Sequence, residues 1–393
     1  MTGGVAQSYD VIVVGVGSMG GAAARELASR GLSVLGLETF WPAHDRGSAH
    51  GGSRIIRQSY FEGPAYVPLL QRAYAGWVEL EAESGRDLLT LCGGIYLGDP
   101  ASPVFTGARA SAELHGLHHE VLDADEIRAR FPTLHPRDHA MGLYEANAGF
   151  TRPEQTVLAN IDLARRHGAE LRFGEPVLDW SPTPGGGVSV VTRAARYAAG
   201  ALVLCPGAWA PQLLGGYGFP ITVQRQVVYW LTPDFTPAVP FERYASPAHP
   251  VFIEETDHNR EFYGFPMLDG PAGGMKVAFF DTGVATTPET VDREVHPAEV
   301  GEVRDRAVQL LPGLTGPLVT AQTCLYATTP DRHFIIGRLP DHPQVAVACG
   351  FSGHGFKFVP VVGEILADLV TSGRTTHDLD LFRLDRPTLG AGR

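Results

Sequence analysis

The sequence predicts an α/β (α+β) protein in which a parallel-sheet domain is interleaved with a mostly antiparallel-sheet domain. Apolar runs rich in β-branched residues enter glycine-rich turns near both ends of the chain, which is typical of parallel α/β sheets. Between them, residues 221–281 contain aromatic, strand-like segments joined by Pro and Gly, which favour an antiparallel sheet. At 393 residues, 44% of them hydrophobic and 19% charged, the chain is long enough for two cores.

A βαβ unit is the first element of the chain. An apolar run, a helix-favouring segment and a second apolar run ending at Glu38 surround the turn Gly15-Val16-Gly17-Ser18-Met19-Gly20. The three glycines permit, in order, a tight turn, the approach of a pyrophosphate to the backbone and close packing of helix against strand. An acid at this distance accepts hydrogen bonds from ribose hydroxyls and disfavours a 2′-phosphate. We therefore predict a Rossmann-type unit that binds FAD or NAD rather than NADP.

Two arginines follow a second glycine-rich loop, in the segment Gly51-Gly52-Ser53-Arg54-Ile55-Ile56-Arg57. Composition alone favours surface positions for Arg54 and Arg57. The two isoleucines between them indicate a partly buried segment, and a buried arginine requires an anionic partner from the protein or from a ligand. Lys276 lies within an apolar strand-like run and is either an outward-facing strand residue or a functional one. Residue patterns leave both questions open.

Hydrophobic periodicity predicts the other elements. Helices are expected over 21–29, 65–83, 125–130, 153–167, 295–311 and 359–371, and strands over 9–15, 32–37, 171–180, 188–193, 201–205, 223–231, 251–255, 261–265, 275–280 and 345–349. Nucleotide-binding pieces alternate with antiparallel pieces along the chain. We therefore predict a discontinuous FAD-binding domain (residues 1–90, 145–220 and 324–393) and a substrate domain (residues 91–144 and 221–323).

Composition excludes several classes of function. A formal charge of −12 argues against nucleic acid or an anionic membrane as a partner, and no apolar run is long enough to span a bilayer. Residues 1–9 lack the basic and apolar regions of a signal peptide. The cysteines are scattered without metal-ligand spacing, at Cys92, Cys205, Cys324 and Cys349. We expect no metal site and a reducing, cytoplasmic setting.

A second strand-to-glycine turn lies near the C-terminus. The run 345–349 leads into Phe351-Ser352-Gly353-His354-Gly355-Phe356-Lys357, just before the predicted helix over 359–371. Such a turn directs backbone N–H groups and a helix N-terminus toward an electron-rich ligand. A nicotinamide-dependent dehydrogenase, which the first βαβ unit alone permits, explains neither this turn nor the segment Cys324-Leu325-Tyr326.

Together these segments resemble the monomeric sarcosine oxidase and N-methyltryptophan oxidase family of flavin amine oxidases, over nearly the whole chain. The most specific matches are residues 51–57 and 351–357, Arg225-Gln226-Val227-Val228 and Tyr263-Gly264-Phe265-Pro266. The resemblance implies FAD joined to Cys324 through an 8α-thioether, with the substrate carboxylate held by Arg57 and Lys357. It further implies that Lys276 promotes the reaction with dioxygen.

The resemblance also implies the other contacts. Catalytic residues would be Lys276, Arg54, His50 and Tyr326, and the substrate would be bordered by Tyr263 and Phe280 besides the two cations. Flavin contacts would be Gly15, Gly17, Ser18, Met19, Gly20, Glu38, Ser48, Val177, Gly207, Cys324, Gly353, Gly355, Phe356 and Lys357.

One departure from the family pattern concerns the substrate. The family has a histidine four residues after the lysine that matches Lys276, and this chain has Phe280 there. We therefore expect a monomeric oxidase that converts a secondary, N-methyl or N-alkyl amino acid to an imine and reduces dioxygen to hydrogen peroxide. The substrate is expected to be bulkier than sarcosine. An oxidase or dehydrogenase of a cyclic imino acid such as proline or pipecolate is the alternative, and a non-catalytic flavin-binding protein is a third possibility.

Overall fold

A computed structural model describes residues 8–256, 258–281 and 283–390. The signal-peptide prediction therefore falls mostly outside the described residues. None of the helices in these ranges combines the length and the apolar composition needed to cross a membrane.

The helices are α1 (Ser18–Ser29), α2 (Val67–Ser84), α3 (Pro103–His115), α4 (Ala124–Arg130), α5 (Pro153–Arg166), α6 (Ala210–Leu213), α7 (Pro297–Leu310) and α8 (Val359–Thr371). The strands are β1 (Ser8–Val14), β2 (Val34–Glu38), β3 (Arg54–Ile56), β4 (Leu89–Leu91), β5 (Gly94–Gly98), β6 (Glu120–Asp123), β7 (Met141–Glu145), β8 (Gly149–Thr151), β9 (Glu170–Phe173), β10 (Val177–Pro182), β11 (Val188–Thr192), β12 (Arg196–Leu204), β13 (Thr222–Leu231), β14 (Val251–Glu255), β15 (Glu261–Gly264), β16 (Met275–Phe279), β17 (Val284–Ala285), β18 (Leu318–Thr328), β19 (Ile335–Leu339) and β20 (His342–Cys349).

The first sheet carries both glycine turns. Its strand order is β10-β11-β12-β1-β2-β9, and β20 pairs with β12 and with β19. Strand β1 lies parallel to both β2 and β12, and β12 lies parallel to β20. Helices α1, α5 and α8 pack together over this sheet. Because the carboxyl ends of parallel strands share one edge, the turns after β1 and β20 lie side by side there.

The second sheet is mostly antiparallel. Its order is β17-β13-β16-β15-β14-β5-β7-β6, with β18 paired to β13, and only the β14–β5 pair is parallel within the described ranges. A third, small sheet has the order β3-β8-β4 and holds the segment with the two arginines. The α/β (α+β) prediction, with a parallel sheet and a mostly antiparallel one, is confirmed.

One prediction about an element was wrong. Residues 171–180 form two strands, because Gly174 turns the chain with φ of 72°; β9 pairs with β2, and β10 pairs with β11 near the opposite edge. Residues 89–145 contain a helix and four strands that periodicity did not reveal. The domain boundaries stay a prediction, and β18 runs through the proposed limit at residue 324.

Candidate active site

A cavity of about 380 Å³ lies at the edge of the first sheet where both glycine turns meet. Its volume falls in the range of small-molecule sites. Most of the predicted flavin contacts line it: Gly15, Gly17, Ser18, Met19, Gly20, Glu38, Ser48, Val177, Gly207, Gly353, Gly355 and Phe356. Arg54 and Tyr326 line it as well.

The first glycine turn has the geometry that a pyrophosphate requires. A Cβ atom on Gly15 would lie 2.3 Å from the Cys205 carbonyl oxygen, and one on Gly20 would lie 1.8 Å from the Gly15 oxygen, so both sites exclude a side chain. Gly17 instead meets nothing within 4 Å and borders the cavity. Helix α1 begins after Gly17 with no side-chain cap and no acid in its first turn. Its first N–H groups and its positive dipole end are therefore available to phosphate.

Glu38 is fixed at the end of β2. Its Oε2 accepts a hydrogen bond from the Val16 N–H at 2.9 Å, and its Oε1 accepts one from the Phe40 N–H at 3.1 Å. Each carboxylate oxygen keeps further acceptor capacity toward the cavity. The residues present therefore fit a dinucleotide whose ribose hydroxyls donate to Glu38.

A second cavity, of about 70 Å³, adjoins the first. Arg54, Tyr326, Gly353 and Phe356 line both cavities. All four predicted substrate contacts line the smaller one, namely Arg57, Lys357, Tyr263 and Phe280. The structure therefore brings these side chains together next to the place where the two glycine turns meet.

Arg57 is a buried residue, only 2% exposed, so it is not a surface arginine. Its Nη2 donates to both carboxylate oxygens of Glu62, at 2.7 and 2.6 Å, and its guanidinium carbon lies 4.1 Å from the centroid of the Phe61 ring. Burial opposes ionisation of Glu62, but Arg57 holds the pKa of this carboxyl below its usual value. Glu62 is thus the anionic partner that the sequence left open.

Lys357 lies across the same cavity, 5% exposed. Its Nζ donates to the His354 carbonyl oxygen at 2.7 Å and contacts the Tyr60 hydroxyl at 3.4 Å. Burial and the nearby Arg57 guanidinium lower the pKa of Lys357 to about 7. It lines the second cavity but not the first, so the structure groups it with the predicted substrate contacts and not with the predicted flavin contacts.

Lys276 is buried, 3% exposed, so it is not an outward-facing strand residue. Its Nζ donates to the carbonyl oxygens of Gly51 and Ser53, at 2.7 and 2.9 Å, and lies 4.7 Å from the centroid of the Phe265 ring. Burial and the charge of Arg54 lower its pKa well below the usual value. Lys276 lies behind the loop that carries Arg54 and lines neither cavity.

Two other predicted residues also lie behind the cavity walls. Cys324 is 2% exposed on β18, and burial raises the pKa of its thiol although Arg54 and Lys276 lower it. His50 contacts Gln322 at 3.4 Å between Nδ1 and Oε1, and burial together with Arg54 lowers its pKa to about 4. His50 is therefore neutral near pH 7.

Comparison with known proteins identifies the family. The sequence matches the family described as FAD dependent oxidoreductase over residues 10–369. The chain belongs to this family. A monomeric sarcosine oxidase from Streptomyces avermitilis is 54% identical over 376 residues, which cover 95% of this chain and 97% of the relative. An N-methyl-L-tryptophan oxidase from Salmonella arizonae is 35% identical over 385 residues, which cover 96% and 99%.

Solved structures of this oxidoreductase family share the fold. The open form of NikD, an amino acid oxidase essential for nikkomycin biosynthesis, superposes with a TM-score of 0.81 at 26% identity, covering 96% of this chain and 97% of that chain. An L-proline dehydrogenase from P. horikoshii gives a TM-score of 0.83 at 23% identity, covering 98% and 99%. The family match makes FAD the cofactor expected in the larger cavity, as the sequence predicted.

Sequence reasoning missed two acids in the smaller cavity of this FAD-dependent oxidoreductase, Glu62 and Glu261. Glu62 lies in a loop with no periodicity, so no local pattern reveals its pairing with Arg57. Glu261 lies two residues before Tyr263 on β15, and side chains two apart on a strand share a face. This spacing is a signal that was available in the sequence.

Proposed function

We propose that the protein is an FAD-dependent oxidase of secondary amino acids, which oxidises the C–N bond of an N-methyl or N-alkyl substrate. The observation that carries the proposal is the convergence of Arg57 and Lys357 in a small cavity that adjoins the dinucleotide cavity. Two relatives that align over nearly the whole chain are named as oxidases of sarcosine and of N-methyl-L-tryptophan.

The bound cofactor would supply the redox chemistry, taking a hydride equivalent from the substrate and passing two electrons to dioxygen, which gives hydrogen peroxide. Hydrolysis of the imine consumes one water, and an N-methyl substrate would release formaldehyde and the demethylated amino acid. The chain's own residues would bind and orient the substrate. Arg57 and Lys357 would form charge-assisted hydrogen bonds to its carboxylate and thereby fix which C–N bond faces the cofactor.

The smaller cavity would also favour the reactive form of the amine. An amine must be neutral to give up a hydride equivalent, and nearby cations lower its pKa. Arg54, Arg57 and Lys357 line this cavity. Together they outweigh the one ionised carboxylate there, Glu62, which pairs with Arg57. Aromatic rings exclude water on the other side, where Phe280 and Tyr326 lie with centroids 5.5 Å apart.

Lys276 would act through the charge of its protonated form, which a nearby negative charge would favour although burial lowers its pKa. A cation near the cofactor stabilises the negative charge that develops when dioxygen is reduced. Its three hydrogen bonds, to Gly51 and to two atoms of Ser53, hold the amino group against the loop that precedes Arg54. The monomeric state and a reducing compartment stay predictions.

Cys324 is the proposed site of a covalent 8α-thioether to FAD. Cys324 and Tyr326 are two apart on β18, so they share a face, and Tyr326 lines the dinucleotide cavity. After acid precipitation of the purified protein, we expect the flavin to stay with the pellet, and to appear in the supernatant for Cys324→Ala. The buried Cys92→Ala is the matched control and should retain the flavin. Release of flavin from the unmodified protein would refute the link.

The proposed activity is tested by peroxide formation. We expect peroxide with sarcosine or larger N-methyl amino acids. The panel also contains proline and pipecolate, and turnover of these two alone would indicate the alternative function, oxidation of a cyclic imino acid. Addition of NAD should change nothing, whereas reduction of NAD by the substrate would indicate a nicotinamide-dependent enzyme. Absence of peroxide with every secondary amine in the panel would refute the proposed function.

A further inference from the structure

The smaller cavity holds a carboxyl group that the proposed reaction does not use. Glu261 is the first residue of β15 and lines the cavity together with Arg57 and Glu62. Glu62 is paired with Arg57, but in the described part of the chain no donor is hydrogen-bonded to the Glu261 carboxyl group. Of the two acids that line the cavity, Glu261 is therefore the one that lacks a cation.

Glu261 lines the smaller cavity and does not line the dinucleotide cavity. Glu261 and Tyr263 lie on one face of β15, while Phe262 between them is fully buried in the core. Residues two apart on a strand are about 7 Å apart. Tyr263 is next to Tyr326, which borders the dinucleotide cavity. A substrate that reacts beside Tyr326 would direct its side chain along β15 toward Glu261.

The position of Glu261 is fixed by the backbone. Its carbonyl oxygen accepts a hydrogen bond from the Phe280 N–H at 2.8 Å, and β15 is paired on both sides, with β14 and with β16. The carboxyl group is thus presented from a rigid sheet, which is the arrangement that gives selective recognition.

None of the charged side chains that act on Glu261 forms an ion pair with it in the described part of the chain. Burial, followed by the nearby Glu62, raises the pKa of Glu261 to about 8; Glu255 acts in the same direction, and Arg57 and Arg332 act against it. Glu255 is engaged elsewhere, since its Oε2 accepts from the Val104 N–H at 3.1 Å. Arg332 is ion-paired with Asp281. A ligand cation next to Glu261 would favour its ionised form and supply the missing partner.

We propose that Glu261 is a specificity-determining residue that selects substrates carrying an ammonium or guanidinium group at the end of the side chain. The inference rests on the proposed function, and it names the substrate class for that site. The substrate carboxylate would bind Arg57 and Lys357, and the distal cation would donate to Glu261. A lysine side chain has five bonds of roughly 1.5 Å, and its extended length of roughly 6 Å is comparable with the roughly 7 Å between Tyr263 and Glu261 along β15.

The test compares two pairs of ligands that share a four-carbon side chain and differ in the terminal ammonium group. Wild-type holoenzyme is assayed with Nα-methyl-L-lysine and Nα-methyl-L-norleucine for kcat/KM, and with L-lysine and L-norleucine for Kd by calorimetry. We expect a preference of roughly 10-fold to 100-fold for the basic ligand in both measurements. Glu261→Gln should bring both ratios close to one.

The matched control is Glu302→Gln. Glu302 is 57% exposed, pairs with Arg260 beside Glu261 and lines neither cavity, so this variant should keep the wild-type ratios. Equal affinity of the wild type for lysine and norleucine would overturn the inference, as would a preference that persists in Glu261→Gln. Failure of the proposed function is distinguishable, because it would abolish peroxide formation while the calorimetric preference and its loss in Glu261→Gln remained.

Discussion

Arg57 and Glu62 form a doubly hydrogen-bonded ion pair inside the smaller cavity, with distances of 2.7 and 2.6 Å. The proposed substrate carboxylate would therefore meet an arginine that already has an anionic partner. Binding either displaces Glu62 or uses the remaining donors of the guanidinium group, of which there are five in all. Glu62 thus competes with the substrate while it stabilises the buried Arg57.

Glu62→Gln should strengthen the binding of carboxylates and weaken the fold. Removal of the competing charge should lower the Kd of a small carboxylate several-fold, and loss of the charge-assisted bonds should cost about 1–3 kcal/mol of unfolding free energy. Calorimetry and urea denaturation measure the two effects. Glu79→Gln, in the exposed pair with Arg72, is the control and should change stability by no more than about 1 kcal/mol. Weaker carboxylate binding in Glu62→Gln would contradict the competition.

Carboxylate binding should weaken as the pH rises through about 7, the pKa of Lys357. Below this pH the ammonium group is present and attracts an anion; above it the charge is lost. Glu261, with a pKa of about 8, gains a negative charge in the same range and acts in the same direction. The Kd of propionate, which has no amine to titrate, should therefore increase with pH. Lys357→Met should remove the increase in Kd near pH 7, and Glu261→Gln should remove the increase near pH 8. A wild-type Kd that does not change with pH would contradict the roles given to these two residues.

Gly353→Ala should disturb the packing of residue 353 against Tyr326 and Phe280, where the two cavities adjoin. Its φ is +81°, and a Cβ atom there would lie 2.4 Å from the Tyr326 ring and 2.8 Å from the Phe280 ring. We expect a loss of more than 1 kcal/mol of stability and a reduced flavin content. Gly85→Ala is the control, since its φ is +68° but a Cβ atom would meet nothing within 4 Å. Equal losses in the two variants would show that backbone strain alone, and not crowding at Tyr326, is responsible.

Lys276→Met and Lys357→Met should each slow a different half-reaction of the enzyme. If Lys276 supplies charge to the oxygen reaction, its loss should slow reoxidation of the reduced enzyme by about 100-fold or more and leave anaerobic reduction by substrate within a few-fold. Lys357→Met should weaken substrate binding and leave reoxidation unchanged. Stopped-flow absorbance measures both half-reactions. Unchanged reoxidation in Lys276→Met would refute its proposed role.

The parts of the fold that the sequence predicted are those with strong local patterns. The β1-α1-β2 unit has glycines at fixed spacing, and α8 was predicted over its full range because its apolar residues recur at helical spacing. The strands between residues 89 and 145 are short, and buried and exposed residues do not alternate along them, so periodicity does not reveal them. The break at Gly174 depends on a positive φ that residue type alone does not fix.

The same distinction holds for the candidate site: residues in sequence motifs were predictable, and contacts that depend on tertiary structure were not. Residues within distinctive motifs, such as Arg57 and Lys357, lie around one cavity, and their roles there stay a prediction. The partner of Arg57 was not predictable, because the contact with Glu62 depends on a loop conformation. The burial of Cys324 and Lys276 behind the cavity walls depends on how two sheets meet, which no local pattern records.

The most direct test of the central claim is peroxide formation by the purified yellow protein with N-methyl amino acids under air, compared between wild type and Arg57→Ala. We predict one hydrogen peroxide for each substrate oxidised, and a loss of kcat/KM in the variant of roughly 10-fold to 100-fold because the carboxylate loses a charge-assisted partner. Substrate oxidation without peroxide, or an Arg57→Ala enzyme with unchanged kcat/KM, would contradict the account.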